Sequence, residues 1–161
     1  MRLSNRNKAP LYNFIYTNLI ITILFGIVLF FLERYKFDIL GNESTLFIII
    51  PVLLGVLFYF SGRQIFEYDS DGEALHFKNR NVLPFLNKPA SDEFPKYKLK
   101  KYEIFNALFI KKLYITISSK KTQSIILKYD ISFLTKKEIK DLKFSLSKVI
   151  KENKEAIEEI Q

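Results

Sequence analysis

Leu19-Ile-Ile-Thr-Ile-Leu-Phe-Gly-Ile-Val-Leu-Phe-Phe-Leu32 and Leu46-Phe-Ile-Ile-Ile-Pro-Val-Leu-Leu-Gly-Val-Leu-Phe-Tyr-Phe60 are the cores of two uncharged stretches, 9 to 32 and 44 to 62. Their reading decides the architecture. A helix rising about 1.5 Å per residue needs roughly 20 apolar residues to cross a hydrocarbon core of about 30 Å. The stretches hold 24 and 19 residues, which predicts two membrane spans at about 11–32 and 44–62. The second is near the minimum length and is expected to stand fairly upright. Everything after them carries charge at ordinary soluble density, so the chain reads as a basic leader (1–10), a transmembrane hairpin (11–62) and one attached domain (63–161).

Two rival readings of the stretches are weaker. Arg2, Arg6 and Lys8 resemble the basic start of a cleavable signal peptide, but the first apolar run is too long for one. It also ends in Phe31-Leu32-Glu33-Arg34 rather than at a small-residue cleavage site. A soluble buried hairpin is the other rival, yet a chain of 161 residues could hardly bury two helices that are apolar all round.

Charge on the flanks sets the expected orientation. The leader has three basic residues and no acid, the connector Glu33, Arg34, Lys36, Asp38 and Glu43 nets −1, and the tail from Arg63 has 20 basic against 14 acidic residues. Basic flanks stay in the cytoplasm, so both termini are expected there, with the connector outside. The absence of cysteine is compatible with a reducing compartment. Within the first span Asn18, Thr22 and Gly26 are four apart and share a helical face; Pro51 and Gly55 repeat that spacing in the second. Such small and polar stripes let helices approach closely, either within the hairpin or against a partner's helices. With no ionisable side chain in either span, an ion or proton pathway is not expected.

The tail opens on Gln64-Ile-Phe-Glu-Tyr68, Asp69-Ser-Asp-Gly72 and Glu73-Ala-Leu-His-Phe-Lys78, a strand, turn and strand marked by Asp-Gly. Asp69-Ser70-Asp71-Gly72-Glu73 echoes the start of a calcium loop but lacks its later spacing and terminal glutamate, so a plain turn is favoured. Asn79 to Pro95 holds Pro84, Pro89 and Pro95 and reads as a long connection with one short strand at Val82 to Leu86. Strands are then expected over Tyr97–Phe105, Leu108–Ser118 and Gln123–Tyr129, in antiparallel order. Thr135-Lys-Lys-Glu138 is a capping box opening an amphipathic helix over about 136–158, whose stripe includes Ile139, Leu142, Leu146, Val149, Ile150 and Ile157. Burial on a curved sheet explains the stripe; a coiled-coil dimer is the alternative, with Asn153 breaking the seam.

Two amino-terminal spans, an Ile-Phe-Glu-Tyr-Asp-x-Asp-Gly hairpin from Ile65 to Gly72, alternating strands and one terminal helix together resemble small bacterial membrane proteins carrying a pleckstrin-homology-like domain. The resemblance spans Leu11 to about Asn153 and rests on element order. It implies an α+β membrane protein: a bent antiparallel sheet, nearly a barrel, capped by the terminal helix, acting as a binding and assembly platform. Eukaryotic members of that fold hold lipid phosphates with a basic first hairpin loop, whereas the matching loop here, Asp69 to Glu73, is acidic.

Basic charge instead gathers later. Lys78 to Lys128 holds twelve basic residues against Asp92, Glu93 and Glu103. Lys96, Lys98, Lys100, Lys101, Lys111, Lys112, Lys120 and Lys121 are therefore the candidate contacts to an anionic surface, with Lys96, Lys98 and Lys100 projecting together if they lie on a strand. Nucleic acid is not expected, because no reader motif accompanies the lysines. Enzymatic chemistry finds little to work with: one histidine (His76, read as a surface residue on the second strand), no cysteine and no glycine-rich phosphate loop. No catalytic residue, metal, cofactor or small-molecule substrate is expected. The expected role is a non-catalytic accessory or assembly subunit of a bacterial inner-membrane complex, contacting lipid and an integral membrane partner. The alternative is a stand-alone membrane protein whose basic face binds anionic lipid of the inner leaflet.

Overall fold

The computed structural model describes residues 1–83, 88–108, 110–119 and 122–158, the last with backbone only at 157. It divides into two units, one formed by residues 10–60 and the other by residues 1–9 together with 61–161.

The first unit is a pair of helices, α1 (Ala9–Leu32) and α2 (Leu46–Phe60). With the irregular turns that extend them, they cover Arg6–Phe37 and Gly41–Phe60, and both are long and apolar enough to cross a membrane. Their side chains are largely uncovered: Phe14, Ile21, Leu24 and Phe25 are all more than half exposed. The turn between them is built on Glu33, whose Oε1 accepts from the Leu40 N–H while its carbonyl accepts from Asp38, a residue held at φ +47°. A carboxylate that satisfies an otherwise orphaned backbone donor explains why an acid sits buried there.

The second unit is α+β. Strands β1 (Arg2–Ser4), β2 (Ile65–Asp69), β3 (Ala74–Arg80) and β4 (Ala90–Pro95) form one antiparallel sheet in that order, and β5 (Leu99–Ala107), β6 (Ile110–Ser119) and β7 (Gln123–Asp130) form another. The Asp-Gly turn falls where expected between β2 and β3, with Gly72 at φ +73°. Three features depart from the sequence reading. The leader is not a free flank: Leu3 lies opposite Tyr68 and is buried, so β1 completes the first sheet. A strand occurs at Ala90–Pro95, at the sheet edge where flanking prolines cost no ladder bond, whereas Val82 and Leu83 lie in a bend and 84–86 fall outside the described residues. Lys96–Lys98 is a 3-10 turn after Pro95, so β5 begins at Leu99, two residues later than expected.

Alternation places Phe66, Tyr68, Leu75 and Phe77 from the first sheet against Leu113, Ile115 and Tyr129 from the second, all buried. Phe77 and Tyr129 stack with ring centres 4.9 Å apart. Helix α3 (Lys136–Glu158) covers this core with Leu142, Leu146 and Val149. That burial accounts for the stripe without a coiled coil. Asn153, rather than merely breaking a seam, donates to the carbonyls of Lys96 and Leu99 and pins the β4–β5 connection.

The capping box forms: Glu138 N–H donates to Thr135 Oγ1 at 3.2 Å, and the Glu138 carboxylate accepts from Thr135 N–H. Lys8 Nζ adds contacts at 3.1 and 3.2 Å, tying the leader to the start of α3. Partial burial pushes the Glu138 carboxyl upward, but the Thr135 bonds and Lys8 outweigh it and leave it below its ordinary value. A carboxyl lowered in the folded state stabilises fully above its unfolded value and loses that contribution as pH falls through the folded one. Glu138→Gln keeps an acceptor oxygen for the capping box but removes the charge that faces Lys8 and the helix start, and is expected to cost about 0.3–1 kcal/mol at neutral pH. The gap from the parent protein should close as pH falls through the lowered value of the folded carboxyl, readable from paired thermal melts.

Candidate functional site

The stripe Asn18, Thr22, Gly26 is divided by its surroundings. Asn18 Nδ2 donates to the Phe14 carbonyl at 2.8 Å and Thr22 Oγ1 to the Asn18 carbonyl at 2.7 Å, so both spend a donor within their own helix and both are exposed. Gly26 is buried in the hairpin: a Cβ there would lie 2.1 Å from the Phe47 oxygen and 3.5 Å from Pro51 Cγ. The sequence explains the contact. Pro51 has no N–H to give the carbonyl four residues earlier, so the Phe47 oxygen loses that partner, and the bare Cα of Gly26 fits against it. Ile23 against Gly55 and the edge-on pair Tyr16 and Phe58, 4.9 Å between ring centres, extend the seam. Beside it, Thr22, Phe25, Gly26, Leu29, Phe47 and Pro51 line part of an apolar groove of about 190 Å³.

Among the described residues, the candidate lysines do not share one face. Lys96 and Lys98 lie in the 3-10 turn, which removes the alternation expected of them with Lys100. Lys100 sits at an irregularity between Leu99 and Lys101 and donates to the Gln123 carbonyl at 3.2 Å. Lys101 lies opposite Thr116 and pairs with Glu103, while Lys112 lies opposite Phe105 and Asp130, which puts both on the outer side of the second sheet. Lys111, one residue before Lys112, points to the other side. Lys120 and Lys121 fall outside the described residues. Burial and the neighbouring Lys128 charge lower the Lys112 pKa, partly opposed by Asp130 at 4.0 Å, and Lys128 itself lies 6.0 Å from the Tyr114 ring centre.

Acidic groups of the β2–β3 turn are already engaged. Arg2 Nε is 2.8 Å from Asp69 and 3.3 Å from Asp71, and the Met1 amine contacts Asp71. The Asp71 N–H, assisted by Arg2, holds the Asp69 carboxyl below the usual range. His76 lies opposite Asp69 with Nδ1 3.3 Å from Glu93. Across β1, β2, β3 and β4 this makes a row of paired polar groups, Arg2, Asp69, His76, Glu93, which behaves as cross-strand pairing on a wet sheet face.

One cluster escaped the sequence reading: the buried amides where the chain enters α1 and leaves α2. Asn5 donates to the Gln64 carbonyl and accepts from the Phe66 N–H, both at 2.8 Å. Asn79 donates to the Ile65 and Asp130 carbonyls at 3.1 and 3.0 Å and accepts from the Asp130 N–H at 2.7 Å, stitching β3 to β7. Gly62 packs against the Asp130 carboxylate, a Cβ there falling 2.5 Å from it, and the Arg63 guanidinium is 3.7 Å away. No sequence signal marks these residues, because asparagine and glutamine read as surface until their backbone partners are known. Comparison with protein-family models, with curated proteins and with solved structures returned no match.

Proposed function

We propose that this chain is a membrane-anchored, non-catalytic module with a pleckstrin-homology-like domain, serving as an accessory or assembly subunit of a larger complex in a bacterial inner membrane. The observation that carries the reading is strand β1. Because Arg2–Ser4 pairs with β2, the segment before α1 and the segment after α2 belong to one folded body. A chain that leaves this body through one apolar helix and returns through another has both ends on one side of any bilayer the helices cross. The flanking charges favour the cytoplasm for that side. Exposed phenylalanine, leucine and isoleucine along α1 and α2 would be costly in water at about 25 cal/mol per Å², a cost lipid removes. Four strands plus three, closed by one carboxy-terminal helix, support the pleckstrin-homology-like reading of the domain.

The non-catalytic part of the proposal draws on the pairing of Asp69 and Asp71 with Arg2 and of His76 with Glu93. Groups engaged in this way serve the sheet as cross-strand and turn pairs. The hairpin, with its groove beside Gly26, is the surface offered to an integral membrane partner, and lipid is the surrounding medium. Purification of the full chain in mild detergent, followed by mass spectrometry, tests the subunit reading: it predicts a stoichiometric membrane companion. Recovery of the chain alone contradicts it and leaves the lipid-binding alternative.

A further inference from the structure

Hairpin tips between strands normally carry glycine, asparagine or aspartate, yet the β5–β6 tip lies in a seven-residue uncharged run from Ile104 to Ile110. Ala107 and Ile110 pair across the turn, and Leu108 between them is 93% exposed at φ +45°. A leucine in left-handed backbone is strained where glycine would not be, and it covers nothing. Phe105, two residues before the turn, is also more than half exposed. Lys112 lies directly across from Phe105, and on the other face of the hairpin Lys111 lies across from Asn106. The nearest acids are already shared: Asp130 lies between Lys112 and Arg63, and Glu103 pairs with Lys101. An apolar wedge with lysines at its base matches an anionic bilayer, whose interior takes the leucine and phenylalanine while its headgroups meet the ammonium groups.

We propose that the β5–β6 hairpin tip is an interfacial membrane anchor, entering the headgroup layer of an anionic bilayer through Leu108 and Phe105 with Lys111 and Lys112 on the surface. This rests on the membrane anchoring proposed above, and the test separates the two. The chain has no tryptophan, so single substitutions report their own surroundings. Full-length Leu108→Trp, Phe105→Trp, Phe144→Trp and Phe25→Trp would be reconstituted in vesicles of phosphatidylcholine with phosphatidylglycerol, with and without brominated acyl chains. Phe25→Trp, in α1, checks the spans alone; Phe144→Trp, exposed on α3, is the water-facing control. Expected for Leu108→Trp and Phe105→Trp is emission shifted to the blue and quenched roughly twofold or more by brominated lipid, weakening as phosphatidylglycerol is withdrawn. Adding Leu108→Gly to the Phe105→Trp protein is expected to abolish the quenching without lowering the melting temperature, which a purely structural leucine would not allow. Emission matching Phe144→Trp, or shielding from acrylamide without quenching by brominated lipid, overturns the proposal. Loss of quenching at Phe25→Trp instead overturns the anchoring.

Discussion

Replacing Asn79 with leucine is expected to destabilise the domain by about 3 kcal/mol or more, because three backbone groups lose their partners at once. The Ile65 and Asp130 carbonyls and the Asp130 N–H all meet this one side chain, which is fully buried. Each buried backbone group left unpaired costs about 1–3 kcal/mol, and leucine can satisfy none of them. Since β3 and β7 belong to different sheets, the loss falls on the joint between the sheets as well as on a local turn. Thermal melts of the full chain in detergent, followed by circular dichroism, should show the domain transition falling by more than about 10 °C. Asn106→Leu, at an exposed position of β5, is the matched control and is expected to change stability by no more than about 0.5 kcal/mol. Equal melting of the two variants would show that the Asn79 bonds do not hold the sheets together.

Gly26→Val should open the helical hairpin. The added Cβ would sit 2.1 Å from a backbone oxygen, far inside contact distance, and the obstacle is main chain that no rotamer change can move aside. The helices must separate at this point, at a cost of about 1–3 kcal/mol or more for overpacking, together with the packing forfeited along the rest of the seam. The absence of native cysteine gives a direct readout. A Tyr16→Cys, Phe58→Cys pair, at the aromatic contact, should be joined efficiently by a short bis-methanethiosulfonate reagent when Gly26 is present. Joining should fall roughly tenfold once Gly26→Val is added, the ratio that about 1.4 kcal/mol produces. Unchanged cross-linking would mean that Gly26 does not set the approach of the helices.

How far these features could be read from sequence depends on the range of the interaction. The two apolar helices, the Asp-Gly hairpin and the Thr135 capping box are local, and each declares itself within a few residues. Strand β1 could not be found that way: Arg2-Leu3-Ser4 is too short to show a period, and its partner lies more than sixty residues on, beyond the apolar helices. Strand β4 is hidden by polar residues and bordering prolines that an edge position tolerates. The lysine alternation at 96, 98 and 100 is a true pattern on the wrong backbone, since Pro95 leads into a 3-10 turn. Gly26 is legible as a close-approach residue, but its neighbour is not: only the structure shows the Phe47 carbonyl there, and Pro51 explains why that oxygen is available.

If α1 and α2 form a two-span hairpin, the whole β domain, β1 included, must lie on one side of a membrane and the connector on the other. Single cysteines in the connector (Asn42→Cys), in the leader (Ser4→Cys) and on α3 (Ser147→Cys) can be tested with a membrane-impermeant maleimide on intact bacterial cells and on cells made permeable. A two-span hairpin in the proposed orientation, with both ends in the cytoplasm, predicts labelling of residue 42 in intact cells and of residues 4 and 147 only after permeabilisation. Labelling of residues 4 and 147 on opposite sides of the membrane, or all three reacting alike, would contradict it.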